Sequence, residues 1–258
     1  MRIKSDSFRQ ILNVIAAPLM WVLSTLPQVV DIGRTAKEFS DINDSLLVPY
    51  GIAFAIWFPI FIGCLGYVFI QAKPVNQTRE IFRNIGGWTA GGFIAVCAWS
   101  LISSFAPTGL LLWGTALVFI PTVYCLVKAM LILTAQKDAL SRAERFWVWG
   151  PISLIAGWVS IAFFLNWTPI IDDGFGSSVP DIIPNIISLA LAVAFAIFII
   201  RKSQGNLVYA FPIIWGSAWL AYEQLFNERQ APLIGYGAIL GAAVLIGAVL
   251  YFRKAKRV

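Results

Sequence analysis

Eight apolar runs of about twenty residues recur along this 258-residue chain, each bounded by a short polar or Pro/Gly-marked break. A helix needs roughly 20 apolar residues to cross the hydrocarbon core of a bilayer. The runs Ile11–Val30, Val48–Gln71, Asn84–Ser104, Gly109–Leu133, Trp149–Trp167, Ile182–Ile200, Leu207–Leu225 and Leu233–Phe252 all meet that length. The breaks between them, such as 106–109 and 202–206, are too short to hold a soluble domain, and the longest are 31–47 and 168–181. With 59% hydrophobic and 12% charged residues, the chain lacks the polar surface a water-soluble core requires. The pattern predicts an all-α, polytopic integral membrane bundle of eight transmembrane helices.

Lys and Arg give the bundle a direction. Fifteen of the nineteen fall on one side of the eight-span arrangement, from Arg2, Lys4 and Arg9 through to Arg253, Lys254, Lys256 and Arg257. Arg34, Lys37 and Arg229 fall on the other, and Lys128 lies inside the fourth run, where its stem can snorkel to the interface. By the positive-inside rule both termini are expected in the cytoplasm, and the expected setting is a bacterial inner membrane. Ile11–Val30 is long for a signal-peptide core, so it reads as a span. The net charge of +6 sits along one membrane face, suits anionic lipid, and does not read as a nucleic-acid patch.

Absent residue types restrict the chemistry. The chain has no His, which closes imidazole metal ligation and Ser-His-Asp catalysis. Cys64, Cys97 and Cys125 each lie inside an apolar run and read as packing residues. Acidic residues cluster in loops, so no metal site is expected and no cofactor is required. Lys128 has no mid-span carboxylate to serve as counter-ion for a Schiff base.

Eleven tryptophans are distributed unevenly. Trp88, Trp113, Trp147, Trp149 and Trp167 stand near run ends and are expected to anchor at the interface. Trp21, Trp57, Trp158 and Trp215 stand near mid-run, where an indole N–H needs protein or ligand beside it. Phe54, Trp57, Phe58 and Phe61 have the i, i+3, i+4, i+7 spacing of one helical face. Trp158, Ala162 and Asn166 repeat at i, i+4 and i+8, with the small Ala162 leaving room between a ring and an amide. Two such faces suit a flat apolar ligand with a few polar groups; for Asn166, near a run end, solvation is the competing account. Glu223 reads as an interfacial acid, and Pro59, Pro121 and Pro212 are placed to kink their helices. Gly237 and Gly241 form a GxxxG suited to close helix approach, within the bundle or in a dimer.

Three stretches resemble a known family. The Pro49–Trp57 segment resembles the P-x-G-x-A-F-x-I-W opening of the second span in long tryptophan-rich sensory proteins, relatives of the translocator protein (peripheral benzodiazepine receptor) family. Trp99-Ser100 resembles that family's third-span Trp-Ser, and Trp158, Ala162 and Leu165-Asn166 its fifth-span pattern. Val96 stands where an Asn is usual, and Leu154-Ile155 where Pro-Tyr is usual. The resemblance covers roughly residues 10–170. It implies a five-helix core at 1–170, with residues 171–258 as a three-helix extension ending in a basic tail. It further implies a membrane receptor or carrier, often a homodimer, for porphyrins, other tetrapyrroles, sterols or similar molecules. The ligand would lie beneath a polar lid, the 31–46 loop with Asp31, Arg34, Lys37, Glu38, Asp41 and Asp44. The residues carried over as ligand-binding are Phe54, Trp57, Trp99, Trp158, Ala162 and Asn166.

The aromatic faces and the resemblance converge on a non-catalytic binding or sensing protein with a pocket between the second and fifth spans. Without His, a metal-free porphyrin is a more natural guest than haem. Two other readings stand beside it. One is photodegradation of a bound porphyrin, with Trp57 or Trp158 as electron donors. The other is a structural subunit docking on a membrane protein partner through the Gly-rich eighth span.

Overall fold

A computed structural model describes residues 2–43, 45–105, 110–174, 182–227 and 230–255. Several sequence features lie outside these: Asp44 of the expected lid, the 106–109 break, part of the 168–181 loop, Arg229, and Lys256 and Arg257 of the tail. The described residues are almost wholly helical. In chain order the elements are α1 (Arg2–Val30), α2 (Ala36–Ile42), a 3₁₀ segment (Gly51–Ile56) running into α3 (Trp57–Gln71), α4 (Glu80–Phe105) and α5 (Leu110–Ala135). There follow one turn, α6 (Arg142–Glu144), a π turn (Arg145–Trp149), α7 (Gly150–Gly174), α8 (Ile182–Lys202), α9 (Leu207–Phe226) and α10 (Pro232–Ala255).

Seven helical stretches of the described chain are long and apolar enough to cross a membrane. They include every expected run except Leu207–Leu225. That run is a helix of 20 residues, α9, about 30 Å long. Trp215, Trp219, Tyr222, Glu223 and Gln224 dilute its hydropathy. The physical reason is its position: α9 packs against α7, α8, α10 and the 3₁₀ segment, so much of it meets protein rather than lipid.

Five helices close a ring. α1 lies against α3 and α4, α4 along α5, α5 along α7, and α7 returns to α3. α8, α9 and α10 pack on one another, with α8 and α9 also against α7. The contact of α7 with α9 is close because of Gly157, where a Cβ would come within 2.1 Å of the Tyr209 carbonyl oxygen. One buried apolar cluster runs from Met20, Phe93 and Leu126 of the ring into Ile200, Tyr209 and Leu245 beyond it. The outer surface keeps large apolar side chains such as Phe69, Leu117, Phe198 and Leu250 exposed, as a lipid-facing surface requires. Gly237 and Gly241 face Leu189 and Val193 of α8, so the GxxxG serves contact within the bundle.

Local signals set the helix ends. Thr35 and Glu38 form a capping box that starts α2, and Ser141 with Glu144 form another before the π turn. Asn206 caps α9 by accepting from the N–H groups of Val208 and Tyr209, at 3.0 and 3.2 Å. Pro121 and Pro212 lie inside α5 and α9, whereas Pro59 falls in the first turn of α3, just after the 3₁₀ segment. Cys64 and Cys97 are buried and all three cysteines are free thiols.

Polar side chains close the ring at the end that carries Arg9. Asp6 accepts from Arg83 Nε and Nη2, at 3.0 and 2.5 Å. Arg9 donates to the carbonyls of Phe82 and Gln77, and Gln10 and Gln71 exchange amide-to-backbone bonds. Deeper in, Tyr67 and Thr89 share a bond of 2.8 Å, and Thr89 donates to Asn13 at 2.7 Å. Buried groups of this kind persist because they are hydrogen-bonded, although Arg9 Nε and Gln71 Oε1 have no partner among the described residues.

Candidate functional site

At the opposite end of the ring, aromatic side chains from five helices meet. Trp158 of α7 lies edge-on to Phe54 and Trp57, with centroids at 6.1 and 6.3 Å. Trp57 stacks on Phe61 at 5.3 Å, and Trp21 of α1 stacks on the same ring at 5.8 Å. Trp99 of α4 meets Phe119 of α5 edge-on at 5.5 Å. Rings in this edge-to-face order leave apolar gaps while fixing one another's orientation.

The gap between them is a cavity walled by all six residues expected from the sequence: Phe54, Trp57, Trp99, Trp158, Ala162 and Asn166. About 60 Å³ of it is open to the centre of a water-sized atom. Its described lining is apolar apart from indole N–H groups, Asn166, and the hydroxyls of Ser40 and Ser217; no titratable side chain lines it. Asn166 is 5% exposed and far from solvated. Its Oδ1 accepts from Trp99 Nε1 at 2.9 Å, and its Nδ2 donates to the Ala162 carbonyl at 2.8 Å. Among the described residues, the indole N–H groups of Trp57 and Trp158 have no hydrogen-bond partner, and both tryptophans border the cavity.

The expected single face of the second span divides. The 3₁₀ segment turns faster per residue than an α-helix, which shifts Phe54 relative to α3, whereas Trp57 and Phe58 are adjacent in α3 and stand about 100° apart around it. Trp57 and Phe61 are buried, while Phe58 is 62% exposed and meets Trp21 edge-on at the outer surface. The pocket also has walls that the second and fifth spans do not supply. Leu189 and Val193 of α8 and Ile213 and Gly216 of α9 line it. No local motif marks those four residues; only the packing of α9 on α7 brings them in.

A second cavity, about 230 Å³, lies on the other side of Phe54, Trp57 and Trp99, which border both. Its walls are more polar. Ser24 and Ser100 share a bond of 2.9 Å there, and Arg34 and Lys37 stand at its edge.

The 31–46 stretch covers this end as expected of a lid, with α2 as its core. Phe39 of α2 is buried against Trp99 at 6.1 Å, while Lys37 and Asp41 pair on the exposed face. The chain after α2 is held by the C-terminal helices. Ser45 donates to Asn185 at 3.1 Å, Gln224 to the Leu46 carbonyl at 2.7 Å, and Trp215 to the Ala53 carbonyl at 3.0 Å.

Other singled-out residues fall elsewhere. Trp113 and Trp147 are partly exposed, as anchors are, but Trp149 is 8% exposed and donates to Thr134 at 2.9 Å. The π turn that ends at Trp149 re-aims this ring into the protein. Glu223 is 7% exposed, accepts from Asn227 at 2.9 Å, and borders a separate polar recess with Lys37 and Tyr50. Among the described residues no three His, Cys, Asp or Glu side chains gather as a metal-binding group.

A family model described as TSPO-like protein matches residues 10–251, which takes in α8, α9 and nearly all of α10 beyond the reach of the three motifs. No curated protein and no solved structure matches the chain.

Proposed function

The chain belongs to the TSPO-like family, and from that premise we propose that it is a non-catalytic membrane receptor or carrier for a flat apolar ligand, a porphyrin or other tetrapyrrole, or a sterol. The observation that carries the reading is the convergence of Phe54, Trp57, Trp99, Trp158, Ala162 and Asn166 on one apolar cavity. Apolar walls with few, placed polar groups are what a ligand of that class needs. The unpartnered indole N–H groups of Trp57 and Trp158 supply two donors for ring nitrogens or a hydroxyl. The absence of a titratable side chain from the described lining favours binding over acid–base chemistry.

A porphyrin is larger than the open space beside Trp158, so binding requires the chamber to widen. Phe54, Trp57 and Trp99 form the partition to the polar cavity. Swinging these rings aside joins the two spaces, placing an apolar macrocycle against Ala162 and its carboxylates towards Ser24, Ser100 and Arg34. In this reading the lid faces outward and both termini lie in the cytoplasm.

Tryptophan-fluorescence titration of the purified protein with protoporphyrin IX tests the proposal, with Trp57→Phe and Trp158→Phe in parallel. Saturable quenching that either substitution weakens at least about tenfold, or 1.4 kcal/mol, is expected. Equal affinity in wild type and both variants, or no saturation with porphyrin or sterol, overturns it.

A further inference from the structure

The seam between α5 and α8 holds two spaces of opposite character. Both helices flank α7, whose side chains form the floor. Towards mid-membrane lies an apolar groove of about 530 Å³, lined by Tyr124, Val127 and Leu131 of α5, Phe164 of α7, and Phe195 and Ile199 of α8. Towards the helix ends lies a polar pocket of about 300 Å³, bordered by Thr134, Lys137, Trp149, Ser203, Asn206 and Arg253.

The two are aligned. Val127, Leu131 and Thr134 repeat at i, i+4 and i+7 on α5, and Phe195, Ile199 and Ser203 repeat at i+4 along α8 and its continuation. The same stripe of each helix therefore passes from the groove into the pocket. Cations are fixed along that line. Lys137 Nζ rests 3.7 Å over the Trp149 ring, and Thr134 holds that ring in turn. Gly205, with φ +74°, brings its turn so near α10 that a Cβ would meet Arg253 Cγ at 2.5 Å, which sets the Arg253 stem beside the pocket. Lys128 borders the groove itself, about 10 Å from the end of α5. Among the described residues it has no hydrogen bond or ion pair, and a lone cation within a span is costly unless an anion meets it.

An apolar channel continuous with a polar pocket flanked by cations has the polarity of one amphiphile. We infer that this seam binds an anionic phospholipid, with an acyl chain in the Tyr124–Phe195 groove and the phosphate between Lys137 and Arg253, within reach of a snorkelling Lys128. Phe164 walls both this groove and the aromatic chamber, but the polar pocket and its cations lie apart from the chamber, so failure of the site leaves the proposed function untouched.

Native mass spectrometry of the full chain in detergent tests it, using phosphatidylglycerol and phosphatidylcholine with identical acyl chains. The wild type is expected to retain phosphatidylglycerol about tenfold better than phosphatidylcholine, and Lys137→Gln/Arg253→Gln to lose that preference. Leu131→Trp, which fills the groove, lowers retention of both lipids, and Arg142→Gln, an exposed cation away from the seam, changes neither. Undiminished phosphatidylglycerol preference in the double variant, or an equal loss in Arg142→Gln, overturns the inference. Melting in lipid-free detergent separates loss of binding from loss of fold. Should the double variant not fold, Arg253→Gln alone is read against the same two outcomes.

Discussion

Asn166 has two roles that its sequence position does not announce. Its distance from the end of the fifth apolar run places it near the membrane surface, where water would satisfy an amide. In the folded chain it is buried, and its Oδ1 is the acceptor for the Trp99 indole from a different helix. A motif on one helix shows which residues share a face, but not what that face meets. Trp158 and Ala162 were legible because bulk and gap lie on the same helix; the bond from Trp99 was not, because it spans 67 residues of sequence. Substituting Asn166→Leu leaves a buried indole N–H without an acceptor, a loss of about 1–3 kcal/mol. The variant is therefore expected to melt earlier and to bind protoporphyrin IX more weakly. Removing the donor as well, in Trp99→Phe/Asn166→Leu, should recover a substantial part of the stability, since no polar group is then stranded. A double variant no more stable than Asn166→Leu would show that the bond is not what Asn166 contributes.

At the scale of elements, the lid helix α2 is short enough that its cap decides whether it persists. Seven residues cannot form a stable helix unaided, and α2 has two supports: Phe39 against Trp99, and the Thr35–Glu38 capping box. The Thr35 N–H donates to the Glu38 carboxylate at 2.7 Å, and with the Thr35 hydroxyl it holds that carboxyl below the usual glutamate range. A depressed carboxyl stabilises the folded form above its unfolded pKa. That contribution is lost as pH falls through the lowered value. Thr35→Ala removes the hydroxyl half of the box but keeps the N–H that binds Glu38, and should reduce hydrogen-exchange protection of residues 36–42 about fivefold at neutral pH, or roughly 1 kcal/mol. In both proteins the remaining protection should decline further as acid protonates Glu38, after correction for intrinsic exchange. Protection that is indifferent to both pH and Thr35 would leave Phe39 as the sole support. The second span gives the complementary lesson. Its apolar length is plain in the sequence, but the 3₁₀ start at Gly51–Ile56 is not, nor is the boundary that buries Trp57 and leaves its neighbour Phe58 exposed.

For the whole molecule, the two ends of the ring differ in kind. One is closed by charged and amide side chains, with Asp6, Arg9, Arg83, Gln10 and Gln71 bonded across α1, α3 and α4. The other is covered by a lid tied to α8 and α9. Under the proposed function a ligand would reach the chamber from the lid end or sideways from lipid, since a through-conduit would have to break the polar closure. Charge predicts which end faces the cytoplasm. Arg79, Arg83, Lys137, Arg142, Arg201 and Arg253 all stand by helix ends on the Arg9 side, whereas Arg34 and Lys37 stand by the lid. Lys and Arg are retained on the cytoplasmic side during insertion, so the polar closure is expected inside and the lid outside. Cysteine labelling checks this without removing the native thiols, since Cys64 and Cys97 are buried and Cys125 lies within a span. Asp41→Cys in the lid and Ala139→Cys in the turn after α5 both carry exposed positions. A membrane-impermeant maleimide added to intact bacterial cells should modify Asp41→Cys at once, and Ala139→Cys only after the membrane is permeabilised. The reverse order would turn the protein over, put the lid in the cytoplasm, and make the Lys137–Arg253 pocket a site for lipid of the outer leaflet.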